Sequence, residues 1–126
     1  MPDFSGIAGL SMNRSLFHLP GHEAIMARVM SLFAEQYRRG LPTLDGLLEA
    51  GLWLQARRLL HALRGASSTA GAVDLTAQAQ RLEIRLLEAS ALDAAAVISL
   101  RLEADALSQG LITLIAALDQ RLAAAP

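Results

Sequence analysis

One stripe in the C-terminal third restricts what this chain can fold into more than any other feature. Val97, Leu100, Ala104, Leu107, Leu111, Leu114 and Leu118 follow one another in alternating steps of three and four residues. That spacing keeps all of them on one side of a helix and sends the polar residues to the other. Such a helix has to bury its stripe against further secondary structure. A sheet is a poor candidate for the partner. Aromatic residues make up 4% of the chain, and its apolar content is chiefly Leu and Ala, residues that favour helix over strand. Asp93 offers a side-chain N-cap for this helix, which extends to about Leu122.

The remainder reads as more helices of the same kind. Residues 1–10, within "MPDFSGIAGLSMNRSL", form a glycine-dotted N-terminal tail, and 11–126 a single bundle domain. A short helix is expected around Ser11–His18, broken by "LPG" at 19–21. A long helix then runs from about His22 to Arg39. Ile25, Val29 and Leu32 form one apolar line along it, and Met26, Met30, Phe33 and Tyr37 the neighbouring line. Pro42 cannot donate to residue 38 and clashes there, so "RRGLP" interrupts the helix. It resumes to Ala50, with Gly51 as a C-cap. A third long helix covers about Leu52 to Ser68, although Leu52 has no side-chain acceptor with which to cap it. A fourth runs from about Ala72 to Ala89, with Leu75, Ala79, Leu82 and Leu86 on one face. The expected fold is all-α: an antiparallel four-helix bundle with a short additional N-terminal helix. A chain of 126 residues is long enough for one such core.

Charge and composition remove several function classes. The net charge is -1, with 11 basic residues that are all arginine, so no nucleic-acid partner is indicated. There is no cysteine, hence no disulfide framework and no thiolate site. The longest apolar run, "LITLIAAL" at 111–118, is too short to span a bilayer, and no direct membrane contact is expected. The first residues lack the charged start and apolar block of a signal peptide. The expected location is the cytoplasm.

Chemistry concentrates on the third helix. On a wheel of roughly 100° per residue, Leu52, Ala56, Leu59, Leu63, Ala66 and Ala70 gather as the core face. His61 lies opposite, ringed by Arg57, Arg58, Arg64, Gly65 and Ser68. A glycine inside a helix costs about 1 kcal/mol relative to alanine, in a chain that uses alanine freely. Next to an exposed histidine, that missing side chain leaves space for a large partner to approach the ring. An exposed imidazole is available in its neutral, nucleophilic form near neutral pH. Guanidinium groups beside it can bind phosphoryl oxygens through charge-assisted hydrogen bonds.

The stretch "HALRGASSTAGAVDLTAQAQRLE" at 61–83 resembles the signature of histidine-containing phosphotransfer (HPt) domains. The matching residues are His61, Arg64, Gly65, Ala66, Gly71, Leu75, Leu82 and Glu83. Upstream, "GHEAIMARVMSLFAEQY", with Phe33 at its aromatic position, and "LLEAGLWLQARRLLHALRG" are similar to the family's preceding helices. The resemblance implies that His61 is phosphorylated on Nε2 and that Arg64, where the family often has lysine, stabilises the phosphoryl group. It implies that Gly65 keeps the ring accessible and that Glu83 orients Nδ1. Gly71 serves the helix connection. The implied mechanism passes a phosphoryl group from one receiver-domain aspartate to His61 and on to another. The implied partners are receiver domains of response regulators and of a hybrid histidine kinase, with Arg57, Arg58 and Ser68 at the docking surface. Mg²⁺ is expected on the receiver, with no cofactor or metal in this chain, which is expected to be a monomer.

Three other readings can be set beside this one. A histidine-kinase dimerisation helix also displays a phosphorylatable histidine, but "HEAIMA" at 22–27 carries only the start of that pattern. A non-catalytic interaction or dimerisation bundle would be favoured by a buried His61. A metal site on "HLPGH" would need His18 and His22 aligned on one helix, which Pro20 and Gly21 interrupt. "GASSTAG" at 65–71 lacks the Gly-Lys-Ser/Thr ending of a P-loop, so no autonomous kinase activity is expected.

Overall fold

The computed structural model describes residues 3–12, 21–88 and 93–124. Five helices follow in order: α1 Glu23–Tyr37, α2 Leu44–Glu49, α3 Trp53–Ala70, α4 Val73–Glu88 and α5 Ala94–Ala124. No strand occurs among the described residues. The four long helices close a ring of neighbours, α1 against α3, α3 against α4, α4 against α5 and α5 against α1, with α2 resting on α3 and α5. That ring is the four-helix bundle expected from the apolar stripes. The short helix expected at 11–18 falls largely outside the described residues, as does His18.

The caps follow sequence chemistry where it exists. Asp93 Oδ1 accepts the Ala96 N–H at 2.8 Å, which starts α5. α3 begins at Leu52 with no side-chain cap. That position has another duty, since the Leu52 N–H donates to the Leu47 carbonyl and the Gly51 N–H to the Leu48 carbonyl. This pair of bonds is the Schellman motif that closes α2. The same motif closes α3: Gly71 takes φ +81°, and the Ala72 and Gly71 N–H groups bond the carbonyls of Ser67 and Ser68. A two-residue turn therefore returns the chain as α4 antiparallel to α3, and the two helices pack on each other along their length.

Proline and glycine end α1 together. The helix stops at Tyr37, and Gly40, at φ +72°, turns the chain toward α5. A Cβ on Gly40 would collide with the Ser108 side chain, while Ser108 Oγ accepts the Leu41 N–H at 2.9 Å. Arg101 then fastens α5 to α2 through a two-pronged bond to Asp45, at 2.7 and 2.9 Å. That hydrogen bonding, with the guanidinium charge, holds the Asp45 carboxyl below its ordinary pKa.

Three sequence expectations shift in register or in extent. On α3 the buried residues are Ala56, Leu60, Leu63, Ser67 and Ala70. Leu59 and Ala66 are partly buried, and Leu52 is exposed. Close packing on α4 draws the buried face toward the Leu60–Ser67 side; Ser67 Oγ lies 2.9 Å from Thr76 Oγ1 of α4. On α1 the Met26–Met30–Phe33–Tyr37 line is buried, whereas Ile25 and Leu32 remain exposed. α1 packs on α3 and α5, which cover one stripe of it. Residues 3–10, within the segment read as a tail, and the adjoining 11–12 lie against the bundle. Phe4 and Ile7 join its core, Arg121 donates to the carbonyls of Asp3 and Ser5, and the Ser11 N–H donates to Gly71. Two apolar side chains are enough to tie down a segment that composition alone marks as loose.

Candidate functional site

His61 occupies the middle of α3, on the side turned away from the core. Its side chain is 65% exposed. The antiparallel turn at Gly71 brings the second half of α4 alongside, and Glu83 of α4 meets the ring: Oε1 lies 3.0 Å from Nδ1. Arg64, one turn after His61, reaches the same pair. Its Nη2 is 3.2 Å from Nδ1, and its Nη1 is 3.5 Å from Glu83 Oε2. Three residues singled out in the sequence, two on α3 and one on α4, form one contiguous trio.

Electrostatics select the tautomer. A carboxylate oxygen facing a bare Nδ1 would set two lone pairs against each other, so the proton is assigned to Nδ1, which donates it to Glu83. Charge assistance strengthens that bond. Arg64 then cannot donate to the same nitrogen, and its charge is directed to Glu83 Oε2. Nε2 is left with its lone pair and with no hydrogen-bond partner among the described residues. A nitrogen base held in one tautomer, exposed and beside a guanidinium is equipped to attack an electrophile carrying negative oxygens.

Gly65 adds room. Among the described residues a Cβ built on it would meet nothing within 4 Å, and its φ is not in the left-handed region. Neither packing among those residues nor backbone geometry requires glycine there. An open hollow next to it is lined by His61, Arg64, Gly65, Ser68, Thr76 and Gln80. Ser68 thus borders the same hollow as His61. Arg57 and Arg58 sit one turn before His61 on α3, half-buried and exposed respectively, outside the hollow.

Beyond Glu83, sequence reading missed the α4 side of this surface. Thr76, Gln80, Glu83 and Leu87 recur at four, three and four residues, which puts them on one face. Leu87 is 63% exposed, and Leu54, seven residues before His61 on α3, is 50% exposed. The periodicity of α4 carried this signal, but its apolar stripe drew attention to the opposite side. His22 stands at the N-cap of α1. Among the described residues, no three His, Cys, Asp or Glu side chains gather closely enough to hold a metal ion. No described helix is long and apolar enough to cross a membrane.

The family model "Hpt domain" matches residues 28–124, a span that contains the whole trio. The chain belongs to the Hpt domain family. No curated protein and no solved structure matches it. The family match gives this Hpt domain a general role in phosphorelay, by histidine phosphotransfer in concert with receiver domains. Its helical bundle is the architecture of that family.

Proposed function

We propose that His61 is the phosphorylated residue, taking its phosphoryl group from a receiver-domain aspartate and passing it to the aspartate of another receiver. One observation carries this reading: the exposed His61 ring is held through Nδ1 by Glu83 at 3.0 Å, which leaves Nε2 bare. The Nε2 lone pair forms the N–P bond as the P–O bond of the aspartyl phosphate breaks, and the aspartate departs as a carboxylate. Arg64 supports the phosphoryl oxygens. Arg57, Arg58 and Ser68 lie on the docking face, and the exposed Leu54 and Leu87 extend it by register. Mg²⁺ belongs to the receiver, where most of the electrostatic stabilisation of transfer arises. A non-catalytic bundle offers no reason for an unfilled space at Gly65 beside an oriented imidazole.

The partners under this reading are receivers of response regulators and of a hybrid histidine kinase, met in the cytoplasm by a monomeric Hpt domain. The domain acts as a phosphotransfer intermediate and not as a kinase of its own. The test is transfer from a panel of phosphorylated receivers, followed by mapping of the label. A phosphoryl group on His61 that is lost in acid and kept in alkali is the expected result. Label on another side chain, or none from any receiver, would overturn the assignment.

Gly65→Ala has two effects of opposite sign. Removing the helical glycine stabilises the isolated protein by up to about 1 kcal/mol, read as a higher Tm. The added methyl group enters the approach path of the receiver and slows transfer from it, while labelling by a small donor such as phosphoramidate is little changed. Equal slowing with both donors would show that access is not what the glycine provides.

A further inference from the structure

α4 and α5 meet closely at one level and part at another. Near the start of α4 the two helices almost touch: a Cβ built on Gly110 would lie 3.2 Å from Leu75 Cδ2. Toward the other end of α4, Arg85 bridges to α5, donating to Glu103 and to Ser99 Oγ at 3.4 Å. Between these two closures the helices leave a groove of about 530 Å³. Leu82, Ile84 and Ala106 form its apolar wall, and Gln78 and Arg81 its polar edge. The groove lies on the α5 side of α4, whereas Glu83 turns toward α3 to meet His61.

Charge and wall chemistry together specify an occupant. Ile84 is 43% exposed, an apolar side chain on the edge of a space of the size that small ligands fill. Arg38, Arg85 and Arg101 are each paired with a carboxylate. Arg81 is exposed and has no ion-pair partner among the described residues. Arg85 and Glu103 neutralise each other, so the uncompensated charge of the groove is the guanidinium of Arg81. We propose that this groove binds a small amphipathic anion, an apolar body with a carboxylate head of the medium-chain fatty acid kind.

The orientation follows from the same residues. Both carboxylate oxygens engage the planar fork of Arg81, and Gln78, one turn earlier on α4, offers its amide N–H. Glu103 repels an anion, but it stands at the other end of the groove with Arg85 against it. The head therefore settles at the Gln78–Arg81 end, and the apolar body runs along Leu82 and Ala106 toward Ile84. Length separates this occupant from a partner helix. The stretch of α4 between the two closures is about 15 Å long, and a helix laid along the groove would have to cross the Arg85 bridge. A small molecule fits within it. The site is separate from the histidine trio, so it does not rest on the phosphorylation of His61.

The test titrates the whole chain with decanoate, kept below its micelle concentration, and follows calorimetry and ¹H–¹⁵N NMR shifts. Saturable binding of one molecule per chain is expected, with the largest shifts at residues 78–85 and 103–106. Arg81→Gln weakens decanoate binding about tenfold or more, as loss of a hydrogen-bonded charge does. Binding of decanol, which has the same chain and no charge, is equal in the variant and in wild type. Ala106→Phe fills the groove and abolishes binding of both. Arg81 and Ala106 are exposed, so Tm stays close to that of wild type in each variant. Undiminished decanoate binding by Arg81→Gln, or decylammonium binding as tight as decanoate, would overturn the inference. Shifts scattered over Leu54, Leu87 and Leu102 would do the same. Groove signals that move with protein concentration alone would put a second copy there and would also overturn it. Labelling of His61 is read separately, and none of these outcomes alters it.

Discussion

His61→Gln is expected to abolish phosphoryl uptake and leave the bundle standing. Glutamine has no nucleophilic nitrogen, since its amide lone pair is delocalised, yet its length lets the amide still donate to Glu83. The side chain it replaces is 65% exposed and takes no part in the core. Its bond to Glu83 is a surface pair of the kind worth about 0–1 kcal/mol, so even complete removal of that bond costs little stability. Transfer from a phosphorylated receiver should fall below detection, while the melting temperature moves by no more than a few degrees, as expected for a domain of this size. Uptake retained at the wild-type rate would move the phosphorylation site elsewhere. A lost thermal transition would mean that the ring holds structure, contrary to its exposure.

The second large effect is on stability. Leu111 is fully buried in the middle of α5, on the stripe that meets α1 and α4. Leu111→Ala removes buried methyl groups and leaves a cavity that a close-packed bundle fills only in part, at a cost of about 3–5 kcal/mol. Domains of this size hold about 5–15 kcal/mol in all, so a fifth of the stability or more is at stake. Urea unfolding followed by circular dichroism should show a markedly lower midpoint with little change in slope. A loss below about 1 kcal/mol would mean that the stripe is not the centre of the core. Because α4 leans on α5 and carries Glu83, the same variant should loosen the hold on His61 before it unfolds the chain.

The parts of this molecule that could be read from sequence are those where one local rule has one answer. The steps of three and four along α5 and α4 fixed their buried faces, and Leu100, Ala104, Leu107, Leu111, Leu114 and Leu118 are all in the core. Asp93 capped as its side chain allows. α3 was harder, because it carries leucine at both 59 and 60. Periodicity accepts either one, and only the depth of packing against α4 chooses Leu60. Ser67 was missed for a similar reason. A buried hydroxyl is acceptable where Thr76 and the Arg64 carbonyl supply partners, and those partners are set by tertiary structure. At the site, the exposure of His61 followed from the wheel, and the pairing with Glu83 from the family resemblance. The hollow formed with Thr76 and Gln80 required knowing how the two helices lie side by side.

The segment ahead of α1 carries a practical lesson. The family pattern begins at residue 28, yet Phe4 and Ile7 are inside the apolar interior, and Arg121, near the far end of the chain, grips the backbone on either side of Phe4. Trimming the protein to its recognisable span would remove a stopper and a clasp at once, leaving an oily opening in an otherwise closed bundle. The boundary of shared signalling chemistry and the boundary of what must be present for a sound bundle are two different lines on this chain.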